Sequence, residues 1–67
     1  MSVAKVTEIT STSTKSFDDA IKLGIDRANK TLKNVRGAWV KGMKLDCKDG
    51  KITDYRVDMK ITFVLND

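Results

Sequence analysis

Residues 16–33 read Ser-Phe-Asp-Asp-Ala-Ile-Lys-Leu-Gly-Ile-Asp-Arg-Ala-Asn-Lys-Thr-Leu-Lys, and this stretch decides the fold. Ser16 followed three residues later by Asp19 fits a capping box, and Asp18 and Asp19 both lie near the positive end of a helix. Apolar or small residues then recur at Phe17, Ala20, Ile21, Gly24, Ile25, Ala28 and Leu32, a spacing that makes one wide stripe on a helix. Asp18, Lys22, Asp26, Asn29, Lys30 and Lys33 fall mostly off it. Asn34 suits a left-handed stop, with Val35 packing back beyond it. The pattern predicts a helix from about Phe17 to about Lys33.

Outward from the helix the period changes to two. Toward the N-terminus, residues 3–9 are rich in β-branched types and predict a first strand. The run Thr10-Ser11-Thr12-Ser13-Thr14 is neutral, with little to bury, and is expected to be a polar loop. Beyond the helix, Ala38 and Val40 share one face of a second strand, and Gly37, Trp39 and Lys41 share the other. Asp49-Gly50 supplies the turn of a tight hairpin. A third strand alternates cleanly, with Tyr55, Val57, Met59, Ile61, Phe63 and Leu65 on one face and Asp54, Arg56, Asp58, Lys60 and Thr62 on the other. The expected class is α+β: a β-α-β-β subunit, one helix packed on a three-stranded antiparallel sheet, forming a single domain over residues 1–67.

Size adds a second expectation. A chain of 67 residues buries only about 60% of the surface its unfolded form exposes, and domains this small usually need a staple. Cys47 is the only cysteine, which excludes an internal disulfide, and with no histidine a zinc site lacks ligands. Association with copies of itself is the option left. No apolar run approaches the ~20 residues that cross a bilayer, and nothing resembles a signal peptide, so a cytoplasmic protein with no membrane partner is expected.

Thirteen Lys and Arg stand against nine Asp and Glu, a net charge of +4. Arg27, Lys30, Lys33, Arg36, Lys41 and Lys44 form a block free of acid. Such a block can attract phosphate, yet Lys30, Lys33 and Arg36 also complement the negative end of the helix, which is the simpler reading. Nucleic acid is not favoured, because single-strand binding wants exposed aromatics interleaved with the charge and only Trp39 is present there. Asp46, Asp49, Asp54 and Asp58 gather near the hairpin as hard oxygen donors, though without the spacing of a calcium-binding loop. No metal ligand set is assigned from them. No nucleophile–base pair, glycine-rich phosphate loop or acid–base couple is found, so no catalytic residue is named and an enzyme is not expected.

Taken together, Ser16-Phe17, Ala20-Ile21, Ala28, Lys30-Thr31-Leu32, Ala38, Val40, Asp49-Gly50-Lys51-Ile52, Tyr55, Val57 and Ile61-Thr62-Phe63 resemble the dodecins in order and spacing over nearly the whole chain. The resemblance implies a hollow, roughly spherical homo-oligomer of twelve subunits that binds riboflavin, flavin mononucleotide (FMN) or related flavins and stores or sequesters them. In flavin-binding members, an aromatic at the start of the second strand stacks on the isoalloxazine ring, and a glutamine on the third strand bonds its polar edge. Two copies share that pocket. Aligned on Lys30-Thr31-Leu32 and Ala38-x-Val40, the stacking aromatic falls at Gly37; aligned on Tyr55 and Val57, the glutamine falls at Arg56. Arginine donates to flavin carbonyls but cannot accept from the ring N–H. Trp39, on the same face as Gly37 and ~7 Å along the strand, is the candidate replacement: with no side chain at Gly37 the indole can lean into the space or fill it. Lys44 further along is a candidate phosphate contact. The cofactor-binding set is therefore Gly37, Trp39, Arg56 and Lys44. The competing reading is a dodecin-like particle without flavin, in which Trp39 is a subunit contact and calcium binds to carboxylates.

Overall fold

In the computed structural model, residues 3–65 are described. Four elements follow in the order β1 (Ala4–Ser13), α1 (Phe17–Thr31), β2 (Val35–Lys48) and β3 (Lys51–Val64). The strands form one antiparallel sheet in the order β1-β3-β2, with the helix on one face. This is the two-layer α+β architecture expected from the sequence.

The helix begins where the cap residue sits. Ser16 is extended, and its hydroxyl accepts from the Asp19 amide at 3.0 Å. The expected capping box is altered in its second half. Asp19 accepts a 2.6 Å bond from the hydroxyl of Ser13, which itself accepts from the Lys15 amide. Ser13 is thereby buried, with its hydroxyl both donating and accepting. The helix ends two residues short of Lys33: Leu32 is already extended, its N–H bonded to the Ala28 carbonyl. Asn34 takes the expected left-handed conformation, φ 63°, but it lies two residues beyond the extended cap and leads into β2 rather than stopping the helix.

One expectation is overturned. Residues 10–13 are not a loop but the second half of β1, paired from Thr10↔Asp58 to Ser13↔Tyr55. Threonine favours a pleated strand as much as a turn, and Thr10 anchors the pairing by donating to the Asp58 carboxylate at 3.0 Å. Ser11 faces the helix at close range. A Cβ built at Gly24 of the helix would come within 3.0 Å of the Ser11 Cβ and 2.5 Å of the Met59 methyl.

Val57, Met59 and Ile61 of β3 are fully buried, as the clean alternation required, with Ala20 and Ala28 of the helix above them. Phe17 meets Tyr55 edge-on, ring centroids 5.2 Å apart, so Tyr55 is a packing residue at the helix start. The hairpin turns through Asp49 and Gly50, both at positive φ (53° and 76°), which is the two-residue turn whose twist matches the strands.

Candidate ligand face of the sheet

Because β3 buries Val57, Met59 and Ile61 under the helix, Arg56, Asp58, Lys60 and Thr62 point to the opposite face. Residues directly opposite in a sheet share a face. The pairings Gly37↔Thr62, Trp39↔Lys60 and Lys44↔Arg56 therefore place all four expected site residues on the face that the helix does not cover. The structure brings them onto one surface but not into one cluster. The partners of Trp39 and Lys44 are four residues apart on β3, ~13 Å along the strand.

Two extra residues in β2 shape this face. The register shifts at Arg36 and again at Lys41. A bulge bends its strand and re-aims a side chain. At the second bulge, Lys41 places its ammonium over the Trp39 ring, 3.6 Å from the centroid. The alternation of the sequence put Lys41 on this face but carried no signal for the bulge or for this contact.

Trp39 is 63% exposed. The question of whether its indole fills the space left by Gly37 has a direct answer: a Cβ at Gly37 would meet nothing within 4 Å. The space is open. Arg56 has other business, since its Nη2 donates to Asp46 Oδ2 at 2.8 Å in an ion pair across the β2–β3 hairpin. Its Nε is buried without a hydrogen-bond partner. Lys44 is exposed beside it. Between Trp39 and Lys44 lies a polar depression of about 410 Å³ lined by Glu8, Ile9, Thr10, Lys41, Gly42 and Asp58.

The basic block of the sequence is split by the fold. Arg27 and Lys30 lie on the helix, where Arg27 donates to the Thr31 hydroxyl, whereas Lys41 and Lys44 lie on β2. The aspartates near the hairpin are likewise divided, Asp46 engaged by Arg56 and Asp58 by Thr10. Among the described residues, no three Asp, Glu or Cys side chains stand together as a metal-holding group. Among them too, no helix is long and apolar enough to cross a membrane.

With this geometry in place, comparison with known proteins is decisive for the family. The dodecin family model matches residues 3–66. The chain belongs to the dodecin family. Its structure is similar to the dodecin from Streptomyces davaonensis, at 36% identity and a TM-score of 0.94 over 98% of this chain and 97% of that one. A variant of the T. thermophilus dodecin aligns over 100% of both chains at 27% identity, with a TM-score of 0.94. A third relative, the calcium dodecin from Mycobacterium tuberculosis, described as calcium chelating with a novel calcium-binding site, shares 30% identity over 97% of this chain and 93% of that one, with a TM-score of 0.84. Among curated proteins none matches the chain.

Proposed function

We propose that this dodecin is a flavin-binding subunit of a homo-oligomer, sequestering riboflavin or FMN without catalysing a reaction on it, in the cytoplasm. The observation that carries the reading is the exposed indole of Trp39 beside the empty space over Gly37. A flat electron-poor ring seated over Gly37 would stack on the indole from two residues away, in place of the aromatic that flavin-binding relatives carry at the Gly37 position. Offset stacking of this kind contributes about 0.5–1.5 kcal/mol beyond the area it buries. Arg56 supplies donors to the ring carbonyls once Asp46 shares it, and Lys44 is the cation placed for a phosphate.

Self-association has its own support. Leu23, Met43, Leu45 and Ile52 are all large, apolar and at least 42% exposed in the single chain. Surface of that kind on so small a domain marks contact with a partner. Twelve copies is the number the family implies, and the whole chain acts as one domain in that shell.

The calcium reading rests on the Mycobacterium tuberculosis relative, whose name carries that ion. Asp46, Asp49, Asp54 and Asp58 are the carboxylates near the hairpin. Among the described residues, however, no three acids stand together, Arg56 holds Asp46 and Thr10 holds Asp58, so this reading has the weaker support.

The test is a titration of riboflavin and FMN into the purified protein, following flavin fluorescence, with particle sizing alongside. Saturable quenching at one flavin per subunit is expected, and Trp39→Ala should abolish it while leaving the particle intact. Flavin that stays fully fluorescent in the presence of an assembled wild-type particle would overturn the flavin reading. A particle that falls apart in Trp39→Ala would instead make Trp39 a subunit contact.

A further inference from the structure

A stacking platform is useful only if it stands still. An exposed tryptophan on a strand has rotamers to choose from, and immobilising a side chain on binding costs affinity. Trp39 has no wall on its Gly37 side, where a Cβ would meet nothing within 4 Å. The contact that does constrain it is the Lys41 ammonium, 3.6 Å from the ring centroid.

Position along the strand gives this contact a direction. Gly37 precedes Trp39 by two residues and Lys41 follows it by two. The cation and the open slot therefore flank the indole on opposite sides along β2. The bulge at Lys41 matters here, because it inserts an unpaired residue between Val40↔Met59 and Gly42↔Asp58. The next residue, Gly42, has no side chain to compete for the space above the sheet.

We infer that Lys41 is a positioning residue for the ligand site: its ammonium backs the Trp39 indole on the side away from Gly37 and holds the ring upright, leaving the opposite face free for a flat ligand ring. This rests on the flavin reading of the same face and adds a residue to it. Lys41 touches the indole, not the ligand, and contributes by reducing the freedom that Trp39 must give up on binding.

The chain has one tryptophan, so its emission reports on Trp39 alone. Three full-length proteins are compared: wild type, Lys41→Met, which keeps an apolar stem without charge, and Lys41→Arg, which restores a cation able to lie over the ring. Time-resolved anisotropy of the ligand-free proteins should show a faster local motion of the indole in Lys41→Met only. Riboflavin affinity should fall about two- to fivefold in Lys41→Met, the factor that one exposed cation–π contact represents, and return in Lys41→Arg. Riboflavin is the probe because it carries no phosphate for Lys41 to attract directly. Unchanged anisotropy in Lys41→Met overturns the inference. So does tighter riboflavin binding by that variant, which would make Lys41 a lid on the stacking face. If wild type binds no flavin, the flavin reading falls, while the anisotropy comparison still decides whether Lys41 holds the indole.

Discussion

Arg56, which we propose faces the flavin's polar edge, has its charge tied to Asp46 across the hairpin at 2.8 Å. The two side chains are 40% and 28% exposed, so solvent screens the pair and its loss should cost well under ~1 kcal/mol of stability. An Arg56→Gln protein should therefore stay folded and gain an acceptor for the ring N–H. We expect riboflavin to bind it about fivefold more tightly, the worth of one ordinary hydrogen bond, in the same fluorescence titration. No gain would mean that position 56 does not meet the ring edge. The residue types at 37, 39, 44 and 56 were legible in the sequence, and so was the shared face of Gly37 and Trp39. Strict alternation along β2 would turn Lys44 to the other face, and only the unpaired Lys41 brings it to this one. What sits against Trp39 was not legible. It depends on a bulge at Lys41, and one inserted residue in a ladder leaves no periodic mark in an alternating sequence of this length.

At the scale of elements, α1 was the most readable part, since its cap and stripe are set by local chemistry, although it ends at an extended Leu32, before the left-handed Asn34. The second half of β1 was the least readable. Thr10 to Ser13 look like a loop when judged by composition, yet Ser11 and Ser13 face the helix, which passes close above Ser11 and bonds Ser13 through Asp19. Gly24 shows how close. Adding one methyl there gains up to about 1 kcal/mol of helix propensity, but it runs into the Met59 methyl and the Ser11 Cβ. Met59 is fully buried, so its end has little room to retreat. Overpacking of this kind costs about 1–3 kcal/mol. Gly24→Ala should thus be a net destabilisation of about 1 kcal/mol, read as a lower urea midpoint with an unchanged slope. A rise in the midpoint would show that β1 yields more readily than its pairing suggests.

At the scale of the whole molecule, the two layers differ in length. The helix has 15 residues and is ~22 Å long, whereas β3 has 14 and spans ~46 Å. The principal extents, 51 × 19 × 13 Å, reflect the longer layer. The helix therefore roofs only about half of the sheet, and Met43, Leu45 and Ile52 are exposed on the hairpin arm. An isolated copy keeps that arm wet, and only neighbours can dry it. Folding and assembly are then linked by mass action, and stability becomes a property of how much protein is in the tube. Thermal melts at serial tenfold dilutions should show a midpoint that falls with each step. A midpoint indifferent to dilution, with assembled particles at every concentration, would show that unfolding does not pass through dissociation on the timescale of the melt. For a chain built this way, the arm reaching past its roof makes dilution itself a denaturant.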